Sequence, residues 1–204
     1  MTDLHRRLAG SALLIGGALA IAGYLAAGTI AGGSGDAHFT DPQFQPLYVI
    51  AIAGTILTIL GFPAVLVAQD GRCPRLTAVG YAGTLAAIVM LNLGEGVIEG
   101  FVKPYLVSHG GIPDPEPSGF AAFETVALVC ALVGLICLGM AVMRAGALPR
   151  WIGALLIAGL ILSFALGGLP APLDVLGDIC MHLALIAIGW RVAVPARGLV
   201  AAPA

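Results

Sequence analysis

Charged side chains are scarce in this sequence of 204 residues. Asp, Glu, Lys and Arg together make up 10% of the chain, whereas soluble domains carry about 25%. Hydrophobic residues make up 59%, and the mean hydropathy is +1.03. So few charges cannot cover the surface of a soluble globular domain. The composition therefore predicts an integral membrane protein whose main partner is the lipid bilayer.

Basic, aromatic and cysteine residues are also few. The net charge is −2, Lys103 is the single lysine and no basic run occurs, so we expect no nucleic-acid partner. The four cysteines show no CxxC or zinc-type spacing, so no disulfide framework is predicted. Aromatic residues reach only 6%. Glycine, in contrast, is abundant at 29 residues, which suits closely packed helices in lipid.

Six apolar segments follow one another along the chain, each near the roughly 20 residues that a spanning helix needs. They predict an all-α, polytopic membrane protein: one six-helix transmembrane domain over residues 1–194. The tail, residues 195–204, is rich in Ala and Pro, and we expect it to be flexible. The predicted helices are residues 8–31, 47–68, 76–99, 120–143, 151–169 and 173–190.

The arginines indicate the orientation of the bundle. All eight fall before the first segment, after the sixth, or in the connections between segments two and three and between four and five. The positive-inside rule assigns that side to the cytoplasm, and Trp151 and Trp190 fall at the same boundary. We therefore expect a multi-pass protein of the cell (plasma) membrane with both termini in the cytoplasm.

Three short motifs carry a resemblance. They are GFPA at the end of segment two, IEGFVKP after segment three, and AGALPRWIG before segment five. The chain resembles uncharacterised bacterial six-helix integral membrane proteins of the actinobacterial type, many of which have FEAFVLP and LPRWxG at the corresponding places. The resemblance spans most of the chain and implies the six-helix fold. That family has no assigned activity, so it implies no catalytic residue.

A polar stripe lies within the sixth segment. Asp174, Asp178 and His182 are spaced i, i+4 and i+8, so they share one helix face. Charged groups inside a bilayer are expensive and often mark functional sites. Counted from the arginines at about 1.5 Å per residue, Asp178 lies at about 20 Å and His182 at about 13 Å. The two could exchange a proton, or could be a self-satisfied pair that joins helices; Asp174 could instead be the N-cap.

Other polar groups lie at similar depths in the outer half of the predicted bundle. Glu95 and Glu124 are both about 30 Å from the arginine side, and Asn92 lies slightly deeper. If helices three, four and six adjoin, these groups and the stripe form a polar path into a cavity that is open outward and closed inward. Tyr24 and Phe123 would line that cavity beside the substrate.

Simpler structural roles are available for some of these groups. Glu99 precedes Lys103 by four residues, which predicts an ion pair. The helix dipole favours an acid such as Glu124 near a helix start. Asn92 could form a hydrogen bond across helices.

The leading functional hypothesis is a membrane-embedded acid/base enzyme of isomerase or cyclase type. Its substrate would be a hydrophobic, isoprenoid-like small molecule, with Asp178 as the acid, His182 as its proton partner, and Glu95 and Glu124 sharing the proton. Integral membrane isomerases and terpene cyclases protonate alkenes with buried acids in a similar way. The low aromatic content argues against this hypothesis, since carbocations are usually shielded by aromatic faces.

Three alternatives use the same groups: a proton-coupled carrier, a small-ligand-binding protein, and an accessory subunit that presents the stripe to a partner helix. Asp178, His182, Glu95 and Glu124 also offer metal ligands, but the ExxH and HExxH spacings are absent. We therefore predict no metal and no cofactor. A homo-oligomer is compatible with the sequence.

Overall fold

A computed structural model describes residues 2–30, 35–113, 117–167, 169 and 173–194 of the chain. Within these ranges the regular structure is helical and there is no strand, which confirms the all-α prediction. The predicted tail, residues 195–204, lies outside the described residues. The α-helices are α1 (Asp3–Ile30), α2 (Phe44–Gly61), α3 (Pro63–Gln69), α4 (Pro74–Ala87), α5 (Lys103–Ser108), α6 (Ser118–Ala145), α7 (Arg150–Leu166) and α8 (Leu176–Ala193). A 3₁₀-helix (Gly35–Thr40) and two π-helices, π1 (Ile88–Glu95) and π2 (Ile98–Val102), complete them.

Five helical stretches are long and apolar enough to cross a membrane. Large hydrophobic side chains are exposed on most of them, as on the lipid-facing side of a membrane bundle and unlike the surface of a soluble protein. α7 is equally apolar but has only 17 residues. These features are consistent with a multi-pass membrane protein. The five stretches are Asp3–Thr29, Phe44–Gly61, Pro74–Ser108, Ser118–Ala145 and Leu176–Ala193.

The helices form a closed ring. Going round it, α2 packs on α1, α1 on α8, α8 on α7, α7 on α6, α6 on α4, and the π-helices that continue α4 return to α2. Each helix runs antiparallel to both neighbours, so α8 faces the α4–π1 rod across the ring. The chain reversals that carry the arginines gather at one end, where the Arg72 guanidinium donates a hydrogen bond to the carbonyl of Ala145 at 3.0 Å. We call it the arginine end.

Glycines allow the neighbouring helices to approach closely. A Cβ atom placed on Gly54 of α2 would lie 2.8 Å from the carbonyl oxygen of Gly16 in α1, too close for a real side chain. The same holds for Gly10 of α1, whose Cβ would lie 2.8 Å from the carbonyl oxygen of Gly189 in α8. This close backbone packing is the use of small residues expected in lipid, where burial of apolar surface gives no driving force between helices.

The second predicted helix differs from the prediction of one segment over residues 47–68. It breaks at Phe62, because Pro63 has no N–H to continue the hydrogen-bond ladder and is placed in the first turn of α3. α3 turns into the arginine end and packs against α1, α4, α6 and α8. Phe62, Ala64 and Val65 are completely buried there. α3 therefore closes the centre of the ring at that end.

The third predicted helix, residues 76–99, is longer than expected. Helical structure runs from Pro74 to Ser108, so it extends nine residues beyond the predicted end at residue 99. It changes to π-helix twice, at π1 and π2. A Cβ atom on Gly100 would lie 2.9 Å from Tyr48, so glycine allows this rod to press on α2 and close the ring.

Candidate functional site

A cavity of about 410 Å³ lies inside the ring, in the half away from the arginine end. This volume is within the range of small-molecule sites in proteins. Below it, Ile88, Leu135 and Met181 form a buried apolar floor that continues into the core of the bundle. The cavity is partly open at its opposite side, where the half-buried residues Tyr48 and Glu99 form part of the rim.

Each quarter of the ring contributes a different chemistry to the wall. The α4–π1 rod carries Asn92 and Glu95 into the cavity, and the start of α8 carries Asp178 from the opposite side. α1 and α2 contribute Tyr24 and Tyr48 between them. The α6 and α7 side is mostly aliphatic. Its members are Leu128, Ala131, Leu135, Gly159, Leu160, Ser163 and Phe164.

The phenol of Tyr24 connects α1 to the π-helix. Its hydroxyl donates a hydrogen bond of 2.7 Å to the backbone carbonyl of Asn92, and it lies 3.4 Å from the hydroxyl of Thr55. Its ring packs edge-to-face on Tyr48 with centroids 5.9 Å apart. π-helical turns are rare and are frequently found at functional sites. Here one such turn presents Asn92 and Glu95 to the cavity and is held by a tyrosine from across the ring.

Asp174 lies at the cavity wall but does not cap α8, so the alternative role proposed for it is wrong. The N-cap residue is Val175, and no side chain forms a capping hydrogen bond there. The Oδ1 atom of Asp174 is buried and accepts no hydrogen bond from any described residue. The helix begins at Leu176, two residues after Asp174, so the predicted stripe is helical only from Asp178 onward.

Asp178 and His182 do not pair through their side chains. The Nδ1–H of His182 donates a 2.8 Å hydrogen bond to the backbone carbonyl of Asp178. The imidazole is only 1% exposed and does not belong to the cavity wall. Its Nε2 is buried and has no hydrogen-bond partner among the described residues. The imidazole is therefore a neighbour of the cavity below Asp178, and not a second polar group within it.

Two further predicted residues, Glu124 and Phe123, lie outside the cavity wall. Both belong to the second turn of α6 and are half-buried. The Phe123 ring covers Gly94, and a Cβ atom there would lie 3.2 Å from its Cζ. Glu124 is close enough to Glu95 for the two charges to interact, although it does not line the same space. The structure thus brings Tyr24, Asn92, Glu95, Asp174 and Asp178 together.

The cavity also contains polar residues that were not predicted as site residues: Tyr48, Thr84, Glu99 and Ser163. Glu99 forms the predicted ion pair with Lys103, which is confirmed. The hydroxyl of Thr84 is buried without a hydrogen-bond partner among the described residues. Tyr48 lies on α2, the neighbour of the helix that carries Tyr24. Its position near a predicted helix start, after a connection with acidic residues, could have identified it as a site residue from the sequence. Thr84 and Ser163 lie in apolar runs and gave none.

Four carboxyl groups, one of them in an ion pair with Lys103, two phenols and one carboxamide surround an aliphatic space. Such a cavity can donate and accept protons at a molecule that is otherwise hydrophobic. Within the part of the chain that the structure describes, no three His, Cys, Asp or Glu side chains form a group that could hold a metal ion. The four metal ligands considered from the sequence are therefore not assembled. The chain matches no protein-family model, no curated protein and no solved structure.

Proposed function

We propose that this protein is a membrane-embedded acid/base enzyme, of isomerase or cyclase type, that acts on a hydrophobic small molecule in the cavity. One observation carries the proposal: Asp178 and Glu95 enter one cavity from opposite sides of the ring, with an aliphatic wall between them. An enzyme that moves a proton along a hydrocarbon needs this separation of donor and acceptor. An isoprenoid-like alkene is hydrophobic, as is the aliphatic wall of the cavity.

In the proposed reaction Asp178 gives its proton to one carbon of a substrate double bond. Glu95 then takes a proton from a carbon next to the resulting cation, so the double bond moves and the substrate gains and loses one proton. The protons return to their starting positions through water at the rim. A cyclase would add one step, in which a second double bond attacks the cation before the proton is lost. Positioned acids and bases contribute about 10² to 10⁴ in rate.

The remaining polar residues would orient the substrate and the two acids. Asn92 and Asp174 would bind a polar end of the substrate, and Tyr24 would hold the π-helix in place. Glu124 would influence Glu95 from outside the cavity. The imidazole of His182 would fix the first turn of α8 through its hydrogen bond to the Asp178 carbonyl, and would have no contact with the substrate.

We also propose that the bundle crosses the plasma membrane six times. α7 packs between α6 and α8, so it would be the sixth span despite its length of about 26 Å at 1.5 Å per residue. The arginine end would face the cytoplasm together with both termini, in accordance with the positive-inside rule. The rim of the cavity would then lie on the outer side.

Deuterium transfer tests the acid/base proposal. Purified protein in nanodiscs is incubated in D₂O with a C20 isoprenoid alcohol, and deuterium on carbon is measured by mass spectrometry. We expect incorporation by the wild type and a loss of about 100-fold or more in Asp178→Asn and Glu95→Gln. Asp70→Asn, exposed at the arginine end and remote from the cavity, is the matched control and should retain activity. Wild-type incorporation that persists in Asp178→Asn would refute the proposed acid.

A carrier is the second candidate, and π1 is the observation that favours it. Irregular helices beside a cavity are typical of transporters, where they bind the substrate and change conformation. Against it, α3 closes the arginine end, so a carrier would have to displace Phe62 and its neighbours. Binding of the C20 alcohol without deuterium transfer, together with uptake into proteoliposomes, would favour the carrier. An accessory subunit would need its acidic groups on the outside of the ring, where a partner helix could contact them.

A further inference from the structure

An apolar groove of about 440 Å³ lies on the outside of the ring between α6 and α7. It has no polar side chain among its lining residues. Below it the two helices are in close contact, since a Cβ atom on Gly139 would lie 2.8 Å from the carbonyl oxygen of Gly153. Towards the other end their facing residues become larger, and the groove begins. Its lining residues are Leu132, Ile136, Ile157, Leu160, Ile161, Phe164 and Ala165.

The groove and the cavity share two side chains. Leu160 and Phe164, one turn apart on α7, line the cavity on the inside and the groove on the outside. Leu160 is 6% exposed, so it is the inner part of this partition, whereas Phe164 is 53% exposed and faces the lipid side. Phe164 thus forms the outer part of the partition, and a change of its rotamer would alter the separation between the two spaces. Side chains that are half exposed change rotamer within nanoseconds.

We infer that the gap between α6 and α7 is a lateral portal, and that the groove holds the hydrocarbon chain of the substrate. The inference rests on the proposed function and specifies its substrate class: an amphiphile with one polar or reacting end and a long aliphatic chain. The reacting end lies between Asp178 and Glu95, and the chain passes Leu160 and Phe164 into the bilayer. One amphiphile therefore occupies both spaces, with its polar end in the cavity and its aliphatic chain in the apolar groove.

The distribution of polar side chains supports a hydrocarbon chain in the groove over a peptide or a soluble ligand. The seven groove residues carry no hydrogen-bonding side chain, so the groove offers nothing to a polar chain. The cavity has its carboxyl groups on the α8 side and on the side of the two π-helices, while its α6–α7 side is mostly aliphatic. The polarity therefore decreases from the carboxyls through Leu160 to the groove, as it does along an amphiphile. In a bilayer such a molecule would arrive from the side with its chain already in lipid.

Photolabelling tests the portal without any turnover. The probes are two hexadecanols, one with a diazirine next to the hydroxyl and one with a diazirine at the chain end, added to the full-length protein in nanodiscs. In the wild type we expect the first to label the α8 segment around Met181, which lines only the cavity. The second should label α6 around Ile136, which lines only the groove. The opposite pattern, or chain-end labelling at Tyr48 on the rim, would overturn the inference.

Variants of the partition make the test specific. Phe164→Trp should lower labelling at Met181 about tenfold, because a larger ring overfills the gap, and Phe164→Ala should raise it. Leu60→Trp, on the lipid-facing side of α2, is the matched control and should change nothing. Thermal unfolding verifies that the variants fold. Labelling at Met181 that is equal in all of them would refute the portal.

The outcomes also separate the portal from the acid/base proposal. If Phe164→Trp leaves labelling unchanged while Asp178→Asn abolishes deuterium transfer, the portal is wrong and the enzyme stands. If labelling follows Phe164 while Asp178→Asn leaves deuterium transfer intact, the portal stands and the proposed acid is wrong.

Discussion

Removal of the Tyr24 hydroxyl is the most direct test of how the π-helix is held. Tyr24→Phe deletes the 2.7 Å hydrogen bond to the Asn92 carbonyl and leaves the aromatic ring in place. Hydrogen bonds contribute about 0.5–1.5 kcal/mol net in proteins, and those between membrane helices average about 0.6 kcal/mol. We therefore expect the free energy of unfolding to fall by about 1 kcal/mol, a change of roughly fivefold in the equilibrium constant.

Tyr48→Phe is the matched control. Tyr48 also lines the cavity and is half-buried, but its hydroxyl forms no hydrogen bond with any described residue. Both variants lose one oxygen atom, so the difference between them measures the hydrogen bonds of the Tyr24 hydroxyl, of which the 2.7 Å bond to Asn92 is much shorter than the 3.4 Å contact with Thr55. The measurement is reversible unfolding in mixed detergent micelles with increasing SDS fraction. Equal stabilities within about 0.3 kcal/mol, the error expected for independent sites, would refute this account of π1.

Three further perturbations test the packing, the histidine and the arginine end. Gly54→Ala should destabilise the bundle by about 1–3 kcal/mol, since a Cβ atom there meets the backbone of α1. Gly119→Ala places its Cβ in open space and should not change the stability. Unfolding in SDS compares the two variants. His182→Asn keeps a donor for the Asp178 carbonyl and should be more stable than His182→Leu by about 1 kcal/mol in the same assay. Arg72→Ala should lower the melting temperature because it removes the donor to the end of α6, and Arg75→Ala should not; equal values would refute the capping role.

Depth was predictable from the sequence because a straight helix has a fixed rise. Counting residues from the arginines placed Asn92, Glu95 and Asp178 in the same half of the bundle, and all three line one cavity. The break at Phe62 also had a visible signal in Pro63, which the prediction of a continuous segment did not use. Such features depend on local geometry and on residue type.

Rotation about the helix axis was harder to predict than depth. Four residues turn an α-helix by about 400°, so His182 is offset by about 40° from Asp178 and lies about 6 Å further along the axis. That offset is enough to move the imidazole out of the cavity wall and into the core. π1 had no signal at all in the sequence. It depends on contacts with α1 and α2, among them the bond from Tyr24, which only the assembled ring supplies.

The plug formed by α3 has a consequence for what the protein can do to a membrane. In a bilayer, a molecule that reaches the carboxyls has to depart through the same half of the membrane that supplied it. With the proposed activity, the protein would alter the chemical composition of one leaflet and leave the other untouched. It would create an asymmetry between the two sheets of lipid without ever carrying a molecule from one to the other.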